Sequence, residues 1–244
     1  MRTDEELSHS VRACKSWKTD IFSGETASLF KKVANPREGD PEFLLKSFSG
    51  YERNRLFLNR GGHSFMDISG ISGTDAVADG RAFAVWDYNR DGWLDIALVN
   101  ANAPLLQLFR NDMGLFDGSR RSAGAMIAVR FAGGNRTAEP TKHFGPRDGY
   151  GAVVSVTVDD TLSLLREHRC GEGFAAQNSD TMIIGLGEHR AAKKLTVKWP
   201  SGTISVAQDI PAGTLLTIFE DAAQSPDRSG FVTERYTQQN ASSL

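Results

Sequence analysis

The sequence predicts an all-β protein with short helices at its amino end, one small antiparallel sheet, and a carboxy-terminal β-sandwich. Three observations lead there. Glycine supplies 24 of 244 residues, above the roughly 7% of an average chain, as turn-rich proteins require. Between residues 125 and 219, seven short runs alternate apolar and polar residues with turn residues between them; this period of two marks strands with one buried face. An acidic loop, Asp87-Tyr88-Asn89-Arg90-Asp91-Gly92-Trp93-Leu94-Asp95, joins two further apolar runs.

Residues 1–48 read as a helical and irregular segment. Thr3-Asp4-Glu5-Glu6 fits a capping box, and Leu7, Val11, Cys14 and Trp17 follow at helical spacing, predicting a helix from about residue 4 to 17. Asp40 before Pro41 suggests a second short helix through about Phe48. Phe22-Ser23-Gly24-Glu25 with Leu29-Phe30 echoes Phe48-Ser49-Gly50-Tyr51-Glu52 with Leu56-Phe57, a weak internal repeat.

Alternation over 55–59 and 63–69 around Arg60-Gly61-Gly62 predicts a hairpin. With Arg81 to Trp86, Leu94 to Asn100 and Leu105 to Phe109, residues 49–112 make a propeller-blade-like antiparallel sheet. A closed propeller takes at least about 4 blades, so the chain is expected either to belong to a longer parent or to cover that sheet with its next domain. Arg110 to Arg121 is the expected linker.

The strands of the sandwich, residues 123–220, are expected at Ala125 to Phe131, Ala152 to Val158, Thr161 to Glu167, Met182 to Gly185, Lys194 to Trp199, Thr203 to Ala207 and Leu215 to Phe219. Leu195, Val197 and Trp199 share one face, which places Trp199 between the sheets just before the Pro200-Ser201-Gly202 turn. Residues 221–244 are polar and are expected to form a flexible tail.

The acidic loop carries the clearest chemistry. Oxygen side chains at Asp87, Asn89, Asp91 and Asp95, with the Trp93 carbonyl, fall at alternate positions of a loop that Gly92 lets turn sharply. Ca²⁺ favours many hard oxygen ligands, so these residues are the expected metal ligands and calcium the expected cofactor. Three carboxylates so close repel one another, which a divalent ion relieves. An EF-hand is excluded, because Leu98 stands at the twelfth position where a glutamate should close the shell. The same residue types also build Asx-turns without an ion.

Composition narrows the classes. Lys+Arg 28 against Asp+Glu 30 gives a net charge of -2, which indicates no nucleic-acid partner, and no apolar run is long enough for a membrane span. The stretch from Met1 to Glu6 has no apolar core behind it, so no signal peptide is legible. Cys14 and Cys170 match no zinc or redox spacing; they are expected as two buried free thiols, one disulfide between them being the alternative. His63, His143 and His189 read as surface or turn residues, and Asp159-Asp160 as a solvated hairpin turn. Asn135-Arg136-Thr137 and Asn240-Ala241-Ser242 match the glycosylation acceptor pattern. Glu167-His168-Arg169-Cys170 could lower a thiol pKa, but neighbours on a strand face opposite ways, so a structural loop is expected rather than a nucleophile.

A strand, D-x-[DN]-x-D-G-x-x-D loop, strand unit resembles a turn of the FG-GAP or VCBS repeats of β-propellers. The carboxy-terminal half resembles the ASPIC and UnbV domain through Gly149-Tyr150-Gly151-Ala152-Val153-Val154, Gly173-Phe174-Ala175-Ala176-Gln177-Asn178-Ser179, Gly185-Leu186-Gly187 and Val197-Lys198-Trp199-Pro200-Ser201-Gly202. The order of the two parts is that of the cartilage acidic protein-like family. The resemblance implies a secreted or periplasmic, calcium-stabilised binding module of the adhesion type, non-catalytic, with an unidentified protein or carbohydrate ligand. The alternatives are an accessory or catalytic protein of a natural-product pathway, or a fragment of a longer FG-GAP repeat protein.

Overall fold

A computed structural model describes residues 52–101, 103–112 and 125–236. The helices expected over 4–17 and up to Phe48, Cys14, most of the linker and the last eight residues of the tail lie outside them. Cα proximity divides the chain into two compact units, one of residues 1–81 with 99–107 and one of 82–98 with 108–244. That division groups the acidic loop with the carboxy-terminal strands.

In the first unit, β1 (Phe57–Asn59) and β2 (Phe65–Asp67) pair antiparallel, Leu58 opposite Met66. Gly61 and Gly62 both take positive φ at the turn, and the Gly62 amide donates to Asn59 Oδ1 at 2.7 Å. A single helical turn, α1 (Ser69–Ser72), follows and ends on left-handed Gly73. Buried Ser69 ties it to the hairpin, its hydroxyl accepting from the Leu56 amide at 2.8 Å and donating to Asp67 Oδ1 at 2.5 Å.

β3 (Gly80–Trp86), β4 (Asp95–Asn100) and β5 (Leu106–Phe109) form a three-stranded sheet in that order. The seven expected downstream strands all form: β6 (Ala125–Ala132), β7 (Val153–Thr157), β8 (Ser163–Glu167), β9 (Met182–Gly187), β10 (Ala191–Lys198), β11 (Ile204–Pro211) and β12 (Thr214–Phe219). An eighth, β13 (Phe231–Arg235), pairs antiparallel with β12. This corrects the expectation of a flexible tail from residue 221. Its start is also ordered: Asp221 caps a 3-10 turn, Ala222–Gln224, by accepting from the Ala223 amide.

The strands assemble as two four-stranded sheets, β11-β10-β7-β8 and β13-β12-β6-β9, with no closed barrel. Inward residues of both sheets build one core: Val154, Val156, Leu195, Val197 and Trp199 from the first, Ile127, Val129, Phe131, Ile184, Leu186, Leu216 and Ile218 from the second. β6 and β12 pair in parallel, Leu216 opposite Val129, because the chain visits the other sheet between them. These two central strands are buried on both faces; Met126, Ala128, Leu215 and Tyr236 form a second cluster on the side away from the core. Near-continuous apolar runs in β6 and β12 follow from that double burial.

Close backbone approaches fix the corner of the sandwich. Gly149 has φ 70°, and a Cβ there would lie 2.6 Å from Phe131 Cβ and 2.9 Å from the Trp199 ring, so the turn admits only glycine. Trp199 itself is buried, its indole N–H donating to Ser205 Oγ at 2.9 Å.

Candidate functional site

The acidic loop spans the gap between β3 and β4. Its backbone turns twice through the left-handed region, at Arg90 (φ 56°) and Gly92 (φ 90°), and the inward amides then find the acidic side chains. Asp87 accepts from the Asp91 amide at 3.1 Å and, through its other oxygen, from the Gly92 amide at 2.7 Å. Asn89 Oδ1 accepts from the Asp91 amide at 3.2 Å, and its Nδ2 donates to Asp91 Oδ2 at 2.8 Å. Asp91 Oδ1 accepts from the Trp93 amide at 2.8 Å. Fully buried Asp95 closes the loop, accepting from the Tyr88 amide at 3.1 Å and the Asn111 amide at 2.8 Å.

All the expected ligand residues therefore belong to one curled loop, with the half-buried Trp93 beside them. In this arrangement the carboxylates are engaged by the loop's own amides, and among the described residues no group of three or more Asp, Glu, His or Cys side chains is placed to hold a metal. The donor chemistry fits calcium: each carboxylate has about four acceptor positions, and the amides above occupy only some of them. Burial raises the Asp87 carboxyl above its ordinary value, and Asp91 adds to this, opposed by the Gly92 amide and the Tyr236 hydroxyl. A carboxylate taken out of water is one that a cation stabilises most.

Two residues that the pattern did not single out tie this segment to the downstream strands. Tyr236, just past β13, has the Arg90 guanidinium 5.5 Å from its ring centroid, and burial, with the charge of Asp87, raises its hydroxyl pKa. Asn178 Oδ1 accepts from the Val85 amide at 2.8 Å, while the Ser179 amide donates to the Val85 carbonyl at 3.1 Å. The Gly173–Ser179 motif thus covers the outer edge of β3 closely: a Cβ on Gly173 would lie 3.1 Å from Ala176 Cβ and 3.3 Å from the Phe83 carbonyl. Asn178 stood within a recognised motif; Tyr236 stood in a stretch whose polarity hid it.

The second reactive cluster separates. His168 is buried, stacked between Phe131 at 4.4 Å and Tyr150 at 4.7 Å, with Nε2 3.1 Å from the Asp148 carbonyl. Burial holds its imidazole below the ordinary pKa. Cys170 is a free, exposed thiol, which corrects the expectation of a buried one; it lies in a bend beyond the end of β8 at Glu167. His63 and His143 are exposed, and His189 lies 3.3 Å from Asp159. Asp159 caps its turn by accepting from the Thr161 and Leu162 amides, both at 2.7 Å, and these bonds hold its pKa down at about 2. Asn135 donates its amide hydrogens to the Thr141 and Phe144 carbonyls at 2.9 and 2.7 Å, while Asn240 lies outside the described residues.

Buried Glu220 is a further polar centre. It accepts from the Gly134 amide at 2.8 Å, the Gly145 amide at 2.8 Å and Ser201 Oγ at 2.5 Å. The Pro200-Ser201-Gly202 turn is thereby anchored to the second sheet. Hydrogen bonds to several donors are what let a carboxylate be buried without a cation.

Comparison with known proteins places these features. The ASPIC and UnbV domain family matches residues 142–225. A stretch of 52 residues, 21% of the chain, is 46% identical to Cartilage acidic protein 1 of Xenopus tropicalis and spans 8% of that protein. The family match begins after β6 and ends before β13, so two of the four strands of the second sheet lie outside it.

Proposed function

We propose that this chain is a calcium-stabilised binding module of the extracellular adhesion type, non-catalytic, that presents an ASPIC and UnbV domain to a protein or carbohydrate ligand. The β3-loop-β4 unit is read as one turn of an FG-GAP or VCBS-type blade, and a secreted or periplasmic setting accords with it. The observation that supports the reading is the loop itself, in which Asp87, Asn89, Asp91 and Asp95 each accept hydrogen bonds from the backbone amides of a single tight curl. Calcium there would bind Asp87, Asn89, Asp91 and Asp95 with the Trp93 carbonyl, leaving one to three places of the usual six to eight or so for water. Its part would be to hold backbone, because nothing among these ligands is arranged as a general base toward a substrate.

The natural-product alternative needs a nucleophile activated by His168. That ring is committed to the stack between Phe131 and Tyr150.

Calorimetric titration with Ca²⁺ tests the proposal. The wild-type chain is expected to give saturable heats, and Asp91→Ala none; at about 100-fold saturation the ion should raise stability by roughly 2.7 kcal/mol. Equal heats from the two proteins would remove calcium from the loop.

A further inference from the structure

Among the described residues the outer face of the β11-β10-β7-β8 sheet lies open to solvent, and strand register sorts its side chains into three rows. Glu167, Val153, Lys198 and Ile204 form one, Leu165, Ser155, Thr196 and Val206 the next, and Ser163, Thr157, Lys194 and Gln208 the third. All are exposed or half-buried. Their neighbours along the strands, Val154, Val156, Leu195 and Val197, point the other way and fill the core.

Charge on this face is one-sided. Lys194 and Lys198 stand on one strand with Thr196 between them, four residues or roughly 14 Å apart at about 3.4 Å for each. Among the described residues neither makes a hydrogen bond or an ion pair. The nearby acids are engaged: Glu167, the only acid of the three rows, is held by Arg169 at 2.9 Å, and Asp160, at the Lys194 end, by Lys193 at 2.7 Å. Asp209, past Gln208, lies outside the rows. In a chain of net charge -2, the face therefore attracts anions.

The form of the anion follows from what the face can bond. β7 and β10 are central strands whose main-chain groups pair on both sides, so a peptide cannot add to them as it adds to a sheet edge. Recognition falls to side chains. Those offered are two ammonium groups, the hydroxyls of Ser155, Thr157 and Thr196 and the Gln208 amide, with exposed Leu165 and Ile204 at the margins. Ammonium groups suit acid substituents, hydroxyls and amides suit ring hydroxyls, and alkyl side chains suit the C–H faces of sugar rings.

We propose that this face binds an acidic polysaccharide, Lys194 and Lys198 pairing with successive acid groups along it and Thr196 with a hydroxyl between them. The inference rests on the binding-module reading and deepens it, choosing carbohydrate over protein; it does not depend on calcium.

Titration of the full chain with dextran sulfate and with polygalacturonate, in calcium and in EDTA, tests this, the two probes separating sulfate from carboxylate as the acid group. Wild type should bind at least one of them more tightly than poly-L-glutamate or duplex DNA, and neutral dextran not at all. The double variant Lys194→Gln/Lys198→Gln should bind about tenfold more weakly, the loss of two exposed ion pairs. Arg136→Gln/Lys142→Gln, which removes the same charge from the loop before β7, should stay within about twofold, since cations away from the bound chain act only through a screened field. Thr196→Glu, which sets an anion between the lysines, should abolish binding. Equal losses from the two double variants, or polyglutamate or DNA bound as tightly as the polysaccharides, would overturn the proposal. Calcium heats without polysaccharide binding would overturn this face and leave the calcium-stabilised module standing; polysaccharide binding in EDTA by a chain that takes up no calcium would do the reverse.

Discussion

The carboxy-terminal sandwich and the strands before it use the same period-two alternation, yet they bury their apolar residues to very different extents. In the sandwich Trp199 is 1% exposed and Val154, Leu195 and Ile218 not at all. Upstream, Phe83 is 54% exposed and Phe65 66%. Each sandwich sheet has a second sheet against its inner face, whereas among the described residues β1-β2 is a two-stranded hairpin and β3-β4-β5 a three-stranded sheet. Alternation sorts side chains onto faces; only a second layer removes a face from water. The upstream strands compensate with polar closures: Asp87 and Asp95 in the loop, Asn178 on the β3 edge, Ser69 beneath the hairpin.

The contrast can be broken by paired substitutions. Trp199→Ala should cost roughly 3 to 5 kcal/mol of unfolding free energy, while Phe83→Ala should stay within about 0.5 kcal/mol, as exposed sites do. Urea denaturation of both variants measures this; similar losses would mean that the upstream sheet is as well covered as the sandwich.

Glycines sharpen it next. Gly149→Ala meets Phe131 and Trp199 under 3 Å in addition to its positive φ, so overpacking of about 1 to 3 kcal/mol is expected. Gly62→Ala, also at positive φ but with open space around it, should lose only the conformational part, about 1 kcal/mol. Thermal melts that rank them the other way would show the corner at Gly149 to be able to relax.

The smallest effect is one of pH. Asp159 in the sandwich and Asp67 in the hairpin both have pKa values held down by hydrogen bonds, from Thr161 and Leu162 in one case and from Ser69 in the other; for Asp159 the value is about 2. A lowered carboxyl pKa contributes stability that is complete above its ordinary value near 3.8 and is lost as pH falls through the folded-state value. Asp159→Asn should therefore be less stable than wild type at neutral pH, with the gap closing as pH approaches 2. A gap that persists unchanged through that range would assign the effect of the substitution to something other than the charge.

The alternating runs, the hairpin at Arg60-Gly61-Gly62, the burial of Trp199 and the curl of the acidic loop were all legible in the sequence, because each depends on neighbours within one strand or turn. β13 was not. An edge strand exposes one side to solvent, and Thr233-Glu234-Arg235 has the polarity that this exposure requires, so it reads as tail. The sequence by itself determined which residues face which way along each strand, and which loop gathers oxygen. Tertiary structure alone decided what each face meets. Gly134 and Glu220 are 86 residues apart and Val85 and Asn178 93, and no local period records which distant segment will supply a donor to a buried carboxylate or close the open edge of a strand.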